Sequence, residues 1–393
     1  MDRPQHVADS PETLAACIDD VARGARIALD TESNGFHAYF EKVCLLQIGT
    51  ARADWVVDPL AVDIKPLLPL FADVGRECVL HAAEYDVLCM KRDYGLSFGR
   101  IFDTHAAAKT LGVARVGLHN LLADELGVKL TIDEQRSDWG KRPLSAAQLQ
   151  YAFADVQYLL SLRDVLATRL LQQGLLPEAE AEFARLVGKE PRPREFDAEG
   201  WQRMKAARTL DGRGRAVLRE LYLLRDRCAR EANRPPFKVL SDLFLAEVAG
   251  RLPRNHEELR HVPGASAQAV RRMGPQILEA VKSGSQGDPL ALARTSGNAQ
   301  RWRKGAPSAP SPEVEERYER LRGWRRARAE ARKVEVQVIA PNAVLWAIAR
   351  ANPADAESLA RVEGMDPFRV EQYGSSILEL LRSIEPPVQE KLF

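Results

Sequence analysis

Ile27-Ala28-Leu29-Asp30-Thr31-Glu32 is an apolar run that closes on two carboxylates separated by one residue. Gly24 stands before it and Asn34-Gly35 after it, so it reads as a short buried strand bounded by turns. Side chains alternate along a strand, which places Asp30 and Glu32 on one face, roughly 6–7 Å apart. Carboxylates held that way repel each other unless a positive charge lies between them. A hard divalent cation such as Mg²⁺ suits the pair, since it takes oxygen ligands from one or two carboxylates and from phosphates. A strand running into a solvated polar turn would look the same in isolation. Residues further along decide between the two.

Upstream, Ser10-Pro11-Glu12-Thr13 opens a helix, with Ser10 as N-cap, Pro11 in the first turn and Leu14, Cys17, Ile18 and Val21 as its apolar stripe. Downstream, Val43–Gly49 and Trp55–Pro59 are strand candidates, and three short strands in succession suggest an antiparallel meander. Val79–His81 reads as another buried strand, followed by a helix over Ala82–Tyr94. Leu118–Leu126 and Ser145–Leu171 are the clearest later helices, the second capped by Ser145. The class is α/β, a mixed sheet with helices.

The chain has 393 residues and 45% hydrophobic content, enough for two or three domains with real cores. Basic and acidic residues nearly balance, 56 against 55, so net charge argues for no partner. Their distribution does. Between Trp201 and Arg234 ten basic residues face four acidic ones. The five cysteines show no paired spacing and read as buried apolar residues of a reducing compartment. Neither an apolar leader nor a stretch of membrane-spanning length is apparent, so a soluble cytoplasmic protein is expected.

Gly188–Arg194 is rich in Pro and charge and predicts a stiff linker closing a first domain over 1–188. Two further segments are related by a shift of one hundred residues: Pro253 and Pro353, Leu259 and Leu359, Val262 and Val362, Gly264 and Gly364, Gly274 and Gly374, Ile277-Leu278 and Ile377-Leu378. They predict a duplicated helical domain, one copy over 195–284 and a more divergent one over 312–385, joined by a flexible linker over 285–311. Gly264 and Gly364 each sit in a turn that enters a helix. Backbone N–H groups there either hold a phosphate or simply complete the turn.

Two more groups carry chemistry. His81-Ala82-Ala83-Glu84-Tyr85-Asp86 places a third carboxylate about one turn into a helix. Tyr151 and Asp155, four residues apart, are neighbours on one helix face. Each taken singly is an ordinary solvated feature. In this order, Asp-x-Glu on a strand, His-Ala-Ala-x-x-Asp, then Tyr-x-x-x-Asp on a helix, the set resembles the three motifs of the DEDD superfamily of 3′–5′ exonucleases, in its tyrosine-bearing branch. Phe102-Asp103-Thr104 and Ser137-Asp138-Trp139-Gly140-Lys141-Arg142-Pro143-Leu144-Ser145 are similar to ribonuclease D wording, and the duplicated segments resemble HRDC domains. The match is weakest over Ser33–Phe40, and Glu335-Val336-Gln337 replaces Pro235-Pro236-Phe237 in the second copy.

The resemblance implies a ribonuclease H-like exonuclease domain followed by two all-α HRDC domains. It implies that Asp30, Glu32, Asp86 and Asp155 hold two Mg²⁺ or Mn²⁺ ions, with Asp30 bridging and Asp86 acting through water. Tyr151 would orient the attacking water and His81 would be structural. The expected activity is release of nucleoside 5′-monophosphates from RNA 3′ ends, transfer RNA precursors above all, by a monomer. The rivals are an exonuclease acting on DNA, a binding scaffold with an inactive nuclease fold, and helical copies that bind protein. A chain cut after about Lys189 is expected to keep a folded nuclease, since every predicted ligand precedes it.

Overall fold

Helix Pro11–Ala22 (α1) starts as its sequence dictates, with Ser10 Oγ accepting the Thr13 N–H at 3.3 Å and Thr13 Oγ1 accepting the Ser10 N–H at 3.0 Å. The computed structural model describes residues 3–130, 134–191, 195–286 and 310–384. Among these, Gln5–Ala8 (β1), Arg26–Ser33 (β2), Val43–Gly49 (β3), Asp54–Val57 (β4), Glu77–Leu80 (β5) and Ile101–Asp103 (β6) form one sheet in the order β1-β4-β3-β2-β5-β6. β4 runs antiparallel to β3 and parallel to β1, while β2, β5 and β6 run parallel. A Cβ on Gly49 would lie 3.1 Å from that of Ala28, and the Asn34 N–H reaches Lys42 O at 3.3 Å, so β2 and β3 run in opposite senses. The expected meander is therefore β2-β3-β4. β1 went unread: a four-residue edge strand without apolar alternation takes its shape from β4.

The helices of this part are α1, Leu68–Ala72 (α2), Glu84–Tyr94 (α3), Thr104–Thr110 (α4), Leu118–Leu126 (α5), Ala146–Gln157 (α6), Leu159–Gln172 (α7) and Leu176–Val187 (α8). Ile27, Leu29, Leu46, Ile48, Val79 and Phe102 are buried in the main core. Leu45, Val56, Trp139, Ala152 and Phe153 form a smaller core that seats α6 on β3 and β4. Two expectations are corrected. The helix expected over Ser145–Leu171 is two helices, because the Tyr158 N–H turns to Val156 O and interrupts the ladder. The helix expected from Ala82 begins at Glu84, because Ala82 is left-handed at φ 58°.

Two compact units result. The first joins residues 1–32 and 43–191 to residues from 309 onward. Within it Glu178 of α8 is buried, and Arg332 donates to both its oxygens at 2.9 and 2.8 Å. Lys109 pairs with Glu335 at 3.0 Å. Lys189 and Glu190, expected in an exposed linker, are tied to Glu84 and Lys91 of α3 by ion pairs of 2.5 and 2.9 Å. The second unit joins residues 33–42 to 192–308 and is built on Gly212–Glu231 (α9) packed against Ala267–Gln286. That last helix runs past the expected linker start, since a Cβ on Gly284 would lie 2.6 Å from Val217 Cα and the backbones pack closely. The rest of the expected linker, 287–309, lies outside the described residues.

The repeat is a structural one. Gly264 and Gly364 both adopt φ 82°, and Leu252 and Asn352 both end a helix left-handed. Arg225 and Arg325 are both buried and donate to Leu240 O at 3.3 Å and Ala340 O at 2.8 Å. At the two glycine turns, Ala265 and Met365 N–H groups bond to Val262 and Val362 O, each at 3.0 Å, so those donors complete the turn. No described helix is long and apolar enough to cross a membrane.

Candidate active site

β2 presents Asp30 and Glu32 on one face, and Asp155 joins them from α6. One oxygen from each of the three lies within 4.8 Å of the others. Asp86, buried on α3, adjoins the trio, and its Oδ1 accepts the Thr31 N–H at 3.1 Å and the Thr31 O–H at 2.5 Å. The sequence order thus brings all four carboxylates into one neighbourhood, three with oxygens in mutual reach and one anchored beside them.

Their charge is uncompensated. Removal from water, then repulsion from Asp86, Asp155 and Glu32, pushes Asp30 well above the usual carboxylate range. Removal from water and the neighbouring Asp155 and Asp86 push Glu32 up to about 9. Burial lifts Asp86 and Asp155 to about 7 despite hydrogen bonds from Thr31 and Tyr151 respectively. Asp155 Oδ2 is buried with no hydrogen-bond partner among the described residues. A converging, self-repelling, all-oxygen cluster with an unsatisfied buried oxygen suits a hard divalent cation.

Local structure explains each placement. Asp103, at the end of β6, accepts N–H groups from Ala82, Ala83, His105 and Ala106 at 2.9, 3.0, 2.9 and 3.3 Å. It caps α4 and fixes the left-handed turn that launches α3 and Asp86. His81 Nδ1 lies 2.9 Å from Thr104 Oγ1, and burial with His105 and His119 nearby pushes its pKa down to about 3, so it stays neutral in a structural contact. Helix α6 begins with a capping box between Ser145 and Gln148. Arg142 fastens the segment before it, donating to Asp58 through Nε and Nη2, to Cys44 O at 2.8 Å and to Trp139 O at 2.8 Å. Trp139 is fully buried and packs on Tyr151 with ring centroids 6.0 Å apart. The Tyr151 hydroxyl donates to Asp155, and burial beside Asp155, Glu32 and Asp30 pushes its pKa far up, so it remains protonated.

Thr31, Trp139, Arg142 and Asp58 therefore shape the site, although single-residue reading assigned them no part. The Ser137–Ser145 wording was the available signal for two of them. Gln47 is a further buried residue: it lies opposite Val56 on the α6 side of β3, and neither amide atom has a partner among the described residues.

Comparison with known proteins fits this geometry. A family model described as 3′–5′ exonuclease matches residues 5–171, and one described as HRDC domain matches 214–281 and 314–381. Ribonuclease D of Pseudomonas paraeruginosa is 30% identical over 91% of this chain and 92% of its own length. The chain belongs to the ribonuclease D family. Membership makes it a 3′–5′ exoribonuclease. Ribonuclease D of Gluconacetobacter diazotrophicus is 33% identical over 77% of this chain and 76% of that protein. The catalytic core of RRP6 from Trypanosoma brucei superposes with a TM-score of 0.66 at 28% identity, covering 72% of this chain and 80% of that one. Escherichia coli RNase D shares the fold over 98% of this chain and 99% of its own, with a TM-score of 0.64 at 24% identity.

Proposed function

We propose that Asp30, Glu32, Asp86 and Asp155 hold two divalent ions, Mg²⁺ or Mn²⁺, and that the chain trims transfer RNA precursors from their 3′ ends to nucleoside 5′-monophosphates. The observation that carries this reading is the convergence of three carboxylate oxygens within 4.8 Å, one residue of which also has a buried oxygen without a partner among the described residues. Divalent ions held by these carboxylates would supply charge to stabilise the attacking and leaving oxygens of a displacement at phosphorus. Asp30 shares a strand face with Glu32, and one of its oxygens lies within 4.8 Å of one from Glu32 and one from Asp155, so the three would hold an ion together. Asp86, with Oδ1 occupied by Thr31, has Oδ2 left for an ion or its water.

Tyr151 keeps its proton and donates a hydrogen bond to Asp155 here; with RNA bound the hydroxyl would turn to position the attacking water and the scissile phosphate. Trp139 holds that ring, and Arg142 holds Trp139. A cytoplasmic setting fits five cysteines that are all free thiols. We take the working form to be a monomer and the fold domains to follow the matched segments, with boundaries near 188, 195–284 and 312–385.

The test uses end-labelled RNA and DNA of matched sequence, together with a transfer RNA carrying a 3′ extension, in Mg²⁺, Mn²⁺ or EDTA. Stepwise shortening of RNA from the 3′ end, blocked by EDTA, is expected, with the extension removed from transfer RNA. Shortening that persists in EDTA would overturn the metal assignment. An extension left intact while unstructured RNA is degraded would overturn the transfer RNA assignment.

A further inference from the structure

The segment Ser33–Lys42 follows Glu32 directly and folds into the second compact unit against α9. Its neck is closed by Asn34, whose side-chain oxygen accepts the Lys42 N–H at 2.9 Å and whose backbone oxygen accepts the His37 and Ala38 N–H groups at 2.8 Å. Tyr39 O–H donates to Asp226 at 2.7 Å, Asn233 Oδ1 accepts the Phe40 N–H at 3.0 Å, and Lys238 Nζ lies 3.2 Å from His37 Nδ1. The loop is thus pinned at three points along the helical repeat. Pinning leaves its phenylalanines outside: Phe36 is 57% exposed and Phe40 54%. Phe237, beside Lys238, is 54% exposed. Three large exposed rings, each on or next to a residue that pins the loop to the repeat, are what a binding surface carries, not what a monomer's packing needs.

Cations interleave with the rings. The Arg230 guanidinium lies 5.8 Å from the centre of the Phe40 ring. Arg234, Lys238 and Arg272 line an adjoining cavity of about 600 Å³, with Glu231 as its one carboxylate. We propose that Phe36, Phe40 and Phe237, with Arg230, Arg234 and Lys238, form a stacking platform for the single-stranded RNA substrate. Aromatic faces take successive bases of any sequence, and the cations follow the phosphates. A duplex keeps its bases stacked inside and offers nothing to these rings.

The second copy is an internal contrast. A shift of one hundred residues places Glu330, Val334, Gln337 and Val338 where the first has Arg230, Arg234, Phe237 and Lys238. There Gln337 and Val338 line a cavity with α4 and α8 in the first unit, beside Glu335, which pairs with Lys109. One copy spends this face on packing within its own unit, and the other turns rings and charge to solvent.

The proposal rests on the exoribonuclease reading, and the test separates the two. Full-length chain in EDTA is titrated with a fluorescent single-stranded RNA of about twelve nucleotides, and hydrolysis of a dinucleotide is measured separately in Mn²⁺. Phe36→Ala and Phe237→Ala are each expected to weaken binding about tenfold, from the loss of one stacked base. Phe237→Trp should restore binding, an RNA with abasic sugars across its middle should bind parent and variants alike, and dinucleotide hydrolysis should be unchanged. Unaltered affinity in both alanine variants would overturn the platform and favour a protein partner for this face. Equal losses on dinucleotide and long strand would also overturn it, placing the effect at the carboxylates. Failure of the parent to hydrolyse either RNA would strike the enzyme reading alone, since binding in EDTA needs no cleavage.

Discussion

Asp30, Glu32 and Asp155 each hold a proton more tightly than a carboxylate in water, because they are buried together without a counter-charge. The folded metal-free chain keeps protons that the unfolded chain releases near a pKa of roughly 4. The cluster's favourable contribution is therefore complete below that value and is lost as pH climbs through about 7 for Asp155 and about 9 for Glu32. Melting in EDTA should accordingly fall between about pH 6 and pH 9, and a flat profile would contradict the reading. Asp30→Asn removes one member of the cluster, so its decline should be shallower, with melting at pH 8 equal to or above the parent. The same variant should lose cleavage, because an amide cannot compensate two divalent ions; a rate above about a hundredth of the parent's would remove Asp30 from the ligand set. Tyr151→Phe deletes only a hydroxyl. It should slow hydrolysis roughly ten- to a thousand-fold while Mn²⁺ affinity in a calorimetric titration stays unchanged; weakened Mn²⁺ binding would make the tyrosine structural instead.

The segment between Ser137 and Ser145 shows how an element without regular structure sets the position of a helix. Arg142 grips Asp58 at the end of β4 and the backbone of Cys44 and Trp139, which seals Trp139 against Tyr151. Arg142→Ala leaves Asp58 facing a mostly buried site without its cation, a loss of roughly 1.5–3 kcal/mol for charged hydrogen bonds of this kind. Urea unfolding should register that loss, and turnover should drop with the looser Tyr151. A variant as stable and active as the parent would leave the segment without the role given to it. On the other side of the site, Asp103 does comparable work for α3, holding the Ala82 turn through backbone N–H groups.

Each compact unit combines stretches distant in sequence. In the first, Arg332 covers Glu178 and also bonds to Thr110 O at 3.3 Å and the Tyr373 hydroxyl at 2.8 Å. In the full chain, Arg332→Ala leaves Glu178 buried beside no cation. Removing one partner from a buried pair costs on the order of 3–5 kcal/mol. The Arg332→Ala variant should therefore unfold at lower urea concentration than the parent, and adding Glu178→Gln to it should recover part of the difference. Recovery of nothing would mean that the pair is not what ties the second repeat to α8. A nuclease independent of everything after Lys189 was the natural expectation from ligand positions alone. Ligand positions say nothing about what covers Glu178.

Local sequence determined much of this protein. Alternation put Asp30 and Glu32 on one face, Ser10 and Ser145 announced their helices, and the hundred-residue shift foretold paired left-handed glycines at Gly264 and Gly364. These features depend on neighbours a few residues away, where backbone geometry and capping chemistry leave few choices. Tertiary structure alone decided the rest. Asp86 meets the cluster because Asp103, distant along the chain, holds Ala82 left-handed. β1 is a strand because β4 offers it an edge. Two repeats with one fold serve different ends because a handful of side chains, Phe237 and Lys238 against Gln337 and Val338, meet different surfaces. Such contacts are set by the shape and charge of groups brought together only by folding, and no periodicity within either segment encodes them.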